Sequence, residues 1–419
     1  MDNLSHSLIG LIAGESIARG SRAREPGLAP ETRRGLLVAL SVIGGNLPDI
    51  DLVYSYHPFS HGTHAKLDYM LQHRGYTHTV VICFVLAALL YGAVEAWARW
   101  RRLVLTRHDR LLIAGTALCG ILLHLGMDFL NSYGVHPFWP LDNRWFYGDS
   151  VFIVEPLYWA AALSLYFLVR TTLARVVLAA APLLGLLACM LLQRAMPSWC
   201  VGYAVLALVM LSIGARASAA VAAFTSAAVA IAITALSVIA GGVAAHRVDA
   251  IAAAHFSGDR VIDHVLTPAP LNPLCWDVLL LETHADRYAV RLGVLSLAPD
   301  FIPAQQCPRT SGTRPATASL APLHEPVSAE IQWSGEFTMS RALLAKLVAG
   351  HCQVAAAMQF IRAPFGAQVD DQWVIGDLRF DRERGGGMAS LELGPPTSAE
   401  CHSPVPWAPP RADLLDLGR

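Results

Sequence analysis

The chain is 419 residues long with a formal net charge of −1, so it lacks the concentrated excess of lysine and arginine that neutralises nucleic-acid phosphates. It is 54% hydrophobic and only 15% charged, with a mean hydropathy of +0.44, whereas soluble domains carry about 25% charged residues. These values exclude an ordinary soluble protein and a nucleic-acid binder, and they point to a membrane protein.

In chain order, residues 1–18 open with Asp2 and His6, whose i, i+4 spacing places both on one helical face. No secretory signal is expected, because these polar residues stand where a basic region belongs, and the N-terminus is expected to stay in the mature protein. A basic stretch follows with Arg19, Arg22, Arg24, Arg33 and Arg34. Residues 35–47 form an apolar run that ends at Asn-Leu-Pro-Asp-Ile-Asp (46–51), where Pro48 disfavours helix in the residue before it. Thirteen helical residues rise only about 20 Å, less than a hydrocarbon core of about 30 Å, so this segment reads as a shortened helix delivering Asp49 and Asp51 below the membrane surface.

His-Arg-Gly-Tyr-Thr-His-Thr (73–79) precedes a charge-free run at 79–94, with Thr77 read as its cap. His57, His61 and His64, in the loop before it, read as surface residues. A second basic loop carries Arg99, Arg101, Arg102, Arg107 and Arg110. The span at 111–130 holds His124 and Asp128, again at i, i+4. Tyr133, Trp139, Trp145 and Tyr147 in the following loop read as an interfacial aromatic belt, and His136 and Asp142 as bystanders. Further spans are expected at 151–169, interrupted by Glu155-Pro156, and at 176–193, 199–215 and 217–245.

Arginine-rich segments stay cytoplasmic. If each apolar run crosses once, both basic segments and Arg170, Arg175 and Arg216 share that side. The alternation then sorts Asp2, His6, Asp49, Asp51, His73, His78, His124 and Asp128 to the opposite, outer face. It also puts residues 246–419 outside, where Cys275, Cys307, Cys352 and Cys401 are free to form disulfides. Within that tail, strands are expected at 276–283, 288–297, 358–362, 373–380 and 388–393, a helix at 340–350, and a loop at 299–326.

Aspartate oxygens and histidine nitrogens are the donors that hold zinc or a harder divalent ion. Ionisable groups inside a span cost about 2.5–3.5 kcal/mol each on insertion scales, so their presence marks function. Arg74, set between His73 and His78, has the planar fork that clamps a phosphate or carboxylate.

The segments 1–10, 47–51, 73–79, 124–128 and 131–134 (Asn-Ser-Tyr-Gly) together resemble a bacterial inner-membrane metal-dependent hydrolase family once labelled LexA-binding. Residues 272–276 and 376–380 resemble its C-terminal region, so the likeness spans most of the chain. Glu155-Pro156 departs from the family's more frequent Asp-Pro. The resemblance implies a metal-hydrolase site carried by His6, Asp49, Asp51, His73, His78, His124 and Asp128. A fainter likeness to zinc-dependent phospholipase C rests on the Pro-Asp and His-x-x-x-Asp elements.

The expected fold is an all-α polytopic membrane bundle of about seven or eight spans, residues 1–245, followed by a small extracytoplasmic α+β domain, residues 246–419. The expected function is hydrolysis of an ester or phosphoester bond in a lipid or lipid-linked substrate, with Asp49 or Asp51 as base, Arg74 on the anionic head group, and a divalent metal, zinc by preference. The alternatives are an ion- or metal-handling transporter, which needs polar residues continuing to the cytoplasmic face, and a non-catalytic protein stapled by a structural metal.

Overall fold

A computed structural model describes residues 1–21, 27–56, 63–309, 315–323, 328–382, 387–393 and 405–415. The N-terminal part is helical: α1 (Asn3–Gly20), α2 (Pro30–Gly44), a 3-10 turn (Leu47–Asp51), α3 (Leu52–Ser55), α4 (Thr63–Gln72), α5 (Val80–Trp100), α6 (Arg107–Phe129), α7 (Pro156–Ala161), α8 (Thr172–Leu191), α9 (Pro197–Arg216) and α10 (Ala219–His255). Among the described residues five helices, α5, α6, α8, α9 and α10, are long and apolar enough to cross a membrane. A sixth crossing counts only if α2 and the segment Leu47–Ser55, bent by 49° at their junction, form one span.

That count of long apolar helices is lower than the seven or eight spans expected. The expected span at 151–169 is instead an irregular stretch, the six-residue α7 and a 3-10 turn (Ala162–Leu165). Glu155 accepts the Leu157 N–H and starts α7 at Pro156, and the ten helical residues that follow rise about 15 Å, shorter than a regular spanning helix. The helix at 80–100 is capped by Thr79, whose hydroxyl accepts the Ile82 N–H, rather than by Thr77.

The bundle packs tightly where it bears the site. α1 crosses α2, and α2 crosses α6, with Gly10 and Gly120 both set against the Ser41 carbonyl, where an added Cβ would stand 2.7 and 2.8 Å from it. Small residues let helix backbones approach this closely. By contrast α5 is largely unburied by protein, as a lipid-facing helix would be.

α10 has 37 residues and extends about 55 Å, well beyond a hydrocarbon core. Residue 245, the expected limit of the membrane region, therefore lies inside a helix that continues to His255. Its last turns bury Ala244, Val248 and Ile251 against Trp276, Val278 and Leu280 of a sheet.

That sheet is an antiparallel meander of β1 (Arg260–Ala269), β2 (Asn272–His284), β3 (Arg287–Ser296) and β4 (Ile331–Ser340), in the order β1-β2-β3-β4. α11 (Arg341–Gly350), capped by Ser340, and α12 (Cys352–Ala357) lead to a second antiparallel sheet, β5 (Pro364–Val369), β6 (Gln372–Asp377) and β7 (Ser390–Leu393), and α13 (Ala412–Leu415) follows. The strand expected at 358–362 is a turn and the chain at 361–363 buries, so pairing begins only at Pro364. Cys275 and Cys307 form a disulfide; Cys401 lies outside the described residues.

Tyr133 and Trp145 do not form a membrane belt. They are buried in the core shared by α4, the 131–147 loop and the second sheet, because Trp145 Nε1–H donates to the Gln359 carbonyl at 2.7 Å and Tyr133 packs on Phe360. Trp407 Nε1–H donates to the Leu71 carbonyl at 2.8 Å, and Arg379 Nη1 donates to the Ser132 carbonyl at 2.6 Å. The C-terminal domain is thereby seated on the end of the bundle that carries the aspartates and histidines.

Candidate metal centre

Three separate chain segments deliver four donors to one point. The 3-10 turn after α2 supplies Asp49, the 3-10 turn Tyr76–His78 supplies His78, and the last turn of α6 supplies His124 and Asp128. The entry to His78 needs special backbone. Arg74 has φ of +59°, and Gly75 lies so close to the Gln72 carbonyl and the Trp407 ring that an added Cβ would stand 2.9 and 3.0 Å away. This corner aligns His73 and His78, which are five residues apart and would diverge on a continuous helix.

His78 Nε2 lies 3.0 Å from His124 Nε2 and 3.1 Å from Asp128 Oδ2, and His124 Nε2 lies 3.4 Å from Asp128 Oδ2. Asp49 Oδ1 stands 3.6 Å from His78 Nε2 and 3.5 Å from His124 Nε2. Donors about 2.0–2.2 Å from a shared ion stand about 3.3–3.6 Å apart in a tetrahedron, so this spacing suits a cation at the centre. Asp49, Asp51 and His73 make a second group that shares Asp49 with the first.

The surroundings orient these donors. His124 Nδ1–H donates to the Gly45 carbonyl at 2.8 Å, which leaves the Nε2 lone pair facing the cluster. His78 Nδ1 faces Thr77 Oγ1 at 3.0 Å and Asp51 Oδ2 at 3.3 Å, so its Nε2 also points inward. Asp51 is fully buried and accepts from the Arg74 backbone N–H at 2.8 Å and Thr77 Oγ1–H at 3.0 Å, with His73 Nδ1 at 3.0 Å. Burial lowers the His73 pKa, and the Asp51 hydrogen bond opposes that without reversing it.

His6 stacks on His124 with ring centroids 3.9 Å apart, and its Nε2 lies 3.2 Å from Asp128 Oδ1. Asp2 does not join the cluster: it caps α1 by accepting the Ser5 N–H. Arg74 is 2% exposed, with Nη2 2.8 Å from Asp128 Oδ1, Nη1 donating to Asn131 Oδ1 at 3.0 Å, and its guanidinium over the Tyr133 ring. The Met1 amine also reaches Asp128, and burial, then Arg74, drives it toward its neutral form. Three buried carboxylates thus face one permanent cation. Such a deficit is costly in a dry interior and is the electrostatic complement of a divalent ion.

Residues 1–199 match the YdjM inner membrane protein family. That is the inner-membrane family the sequence motifs resemble, and every donor named above lies in the YdjM region. No curated protein and no solved structure matches the chain.

Beside the YdjM donors opens a cavity of about 520 Å³, lined by Asp49, Tyr69, His73, Arg74, Tyr133 and, from the C-terminal domain, Phe380, Arg382 and Met388. Sequence reasoning missed the last three, since nothing in their local pattern ties them to residue 49. His136 remains a structural residue: it stacks on Trp407 at 3.9 Å, and burial pushes its pKa down to about 3. Asp142 pairs with Arg144 on the surface. His57 and His61 lie outside the described residues.

Proposed function

We propose that the protein is a membrane-embedded, metal-dependent hydrolase that cleaves an ester or phosphoester bond of a lipid or lipid-linked substrate at the outer membrane-water boundary. The observation that carries this reading is the convergence of Asp49, His78, His124 and Asp128 on one point at the edge of a 520 Å³ cavity. A structural staple has no need of adjoining space, whereas a hydrolytic centre must admit substrate and water.

His78, His124 and Asp128 would hold the ion, zinc by preference, with Asp49 beside the position left open for water. The ion would supply Lewis-acid polarisation of the scissile group and acidify a water molecule. The protein's own groups have distinct duties. Asp51 holds His73 and His78 in place through its two oxygens. Arg74 fixes Asp128 and Asn131 and contributes positive charge to the cavity wall, so its first duty is positioning. Asp49, at the cavity edge and shared by both donor groups, is the carboxylate best placed to accept a proton from an incoming water.

The outward orientation is supported by two observations. Arg34 bonds Glu15 and the Leu168 carbonyl, and Arg170 bonds Glu31, at the end of the bundle remote from the donors. The Cys275–Cys307 disulfide suits an oxidising compartment. The deciding experiment is metal analysis of the purified full-length protein, followed by a hydrolysis screen against phospholipids and isoprenoid phosphates. Metal-free protein that also fails to take up zinc would overturn the proposal.

A further inference from the structure

The proposed reaction leaves a set of arginines unexplained. Next to the metal-centre cavity lies a smaller one of about 70 Å³, several water-sized positions, and Tyr133, Ile153, Phe380 and Arg382 line both. Arg382 therefore stands at the passage between them. Its guanidinium makes no hydrogen bond or ion pair among the described residues, and it feels Arg194 and Asp277 through space. Arg309 lines the same small cavity, with Nη1 donating to Ser334 Oγ at 2.7 Å and Nη2 to Gln332 Oε1 at 3.2 Å. Arg194 Nη1 in turn donates to the Arg309 carbonyl at 3.1 Å.

Two guanidinium-bearing residues, Arg309 from the loop before β4 and Arg382 from the segment after β6, thus line one small cavity, while Arg194 of the α8–α9 connection lines neither cavity but braces the Arg309 backbone and adds positive charge nearby. Arg379 also lines the small cavity, but Asp377 satisfies it with a 2.7 Å ion pair. Asp277 is the one acidic side chain on the small cavity's wall among the described residues. Arg382 is exposed at the passage and Arg309 is half-buried, so both charges are open to an oxyanion entering the cavity, which each would attract. Arginine, planar and always protonated, suits a phosphate-type oxyanion.

We propose that Arg382 and Arg309 of the C-terminal domain, with Arg194 of the α8–α9 connection bracing Arg309, form an anion subsite that binds a phosphate-type group of the substrate beside the candidate metal centre. This deepens the hydrolase reading by naming the substrate class: a molecule with a phosphate or diphosphate group in addition to the scissile bond. It also divides the labour among arginines, since Arg74 is committed to Asp128 and Asn131 while Arg382 is uncommitted at the passage.

The test uses full-length protein in phosphatidylcholine nanodiscs, stripped of metal by a chelator so that the subsite is read apart from the metal centre, and titrated calorimetrically with inorganic pyrophosphate. Saturable binding is expected, weaker by about tenfold or more in Arg382→Gln and in Arg309→Gln, and partly restored in Arg382→Lys. Displacement of pyrophosphate when phosphatidic acid is included in the discs assigns the subsite to a lipid head group; undisplaced binding assigns it to a soluble phosphate. Absence of saturable binding to wild type, or equal affinity in wild type and both glutamine variants, overturns the subsite. Absence of bound metal in untreated protein would sink the hydrolase reading while leaving the pyrophosphate result standing, so the two failures are distinguishable.

Discussion

Two clusters of buried charge, one at the end of the bundle and one on the first sheet, contain the same acids in different company. On the sheet, Arg291 pairs with Glu282, with Glu336 at 2.8 Å and with Asp259 at 2.7 Å, while Arg287 pairs with Glu336 at 3.0 Å and Asp259 at 2.8 Å. Arg291 also lies over the Phe256 ring. Each carboxylate there faces a permanent cation. At the bundle end, Asp49, Asp51 and Asp128 share one permanent cation, Arg74 on Asp128, and otherwise face imidazoles, whose charge is conditional, with the inward donor atoms converging on one point. Paired charge closes a structure; convergent charge leaves a place for something to bind.

The largest expected effect attacks the convergence. His124→Ala removes a donor whose Nδ1 is already anchored, and bound zinc should fall to background, an affinity loss of about a thousandfold or more against the roughly 10–100-fold typical of an outer-shell loss. Elemental analysis and zinc titration check this. Full metal content in the variant would make the bundle cluster another closed ion network.

Next in size is a change to the sheet. Arg291→Met strands Glu282 without a cation and leaves Glu336 and Asp259 to Arg287 alone, so a loss of about 3–5 kcal/mol is expected in the unfolding free energy of the C-terminal domain, with metal content unchanged. Denaturant melts followed by domain fluorescence, alongside zinc analysis, measure both. Altered zinc stoichiometry would show that the two clusters are not independent.

Asp51→Asn should have an intermediate effect. It keeps the shape but weakens the hold on His73 and His78, so zinc affinity should drop about 10–100-fold without abolition. An affinity equal to wild type would remove Asp51 from the centre's support.

The smallest effect concerns a carboxylate of a third kind. Glu155 is buried with no ion pair among the described residues, accepting the backbone N–H groups of Leu157 and Leu271. Burial pushes its pKa up to about 7. A raised carboxyl pKa means that stability is fully present below the ordinary value near 4.5 and is lost as pH rises through 7. Glu155→Gln should therefore match wild type in melting temperature at pH 5 and exceed it at pH 8 by a few degrees, on the order of 1 kcal/mol. A melting difference that does not vary with pH would refute the assignment.

The helices were readable wherever a long apolar run lacked an early break. The failure at 151–169 was instructive: its composition is apolar enough for a span, but Glu155 caps a helix that ends after about three turns, and that depends on Leu271 reaching back from the sheet. The β2–β3 hairpin was legible because its strands flank a two-residue turn at Ala285 and Asp286, whereas β1 and β4, which pair at its two edges, were not assigned. Tyr133 and Trp145 were misassigned because an aromatic loop looks alike whether it meets lipid or protein.

The amino-acid order alone determined the donor chemistry and its grouping: aspartates and histidines stand at one end of the runs 1–18, 35–47, 79–94 and 111–130 and arginines at the other, because successive helices alternate direction. Only the tertiary structure decided which donors converge, that Asp51 and Arg74 are engaged in holding their neighbours, and that Arg309 and Arg382 line one cavity beside the candidate metal centre. Distance along the chain carries no information about such meetings. They are set by where α1, α2 and α6 cross closely enough to be held together by small residues, and by where the sheets of the C-terminal domain come to rest on the bundle's end.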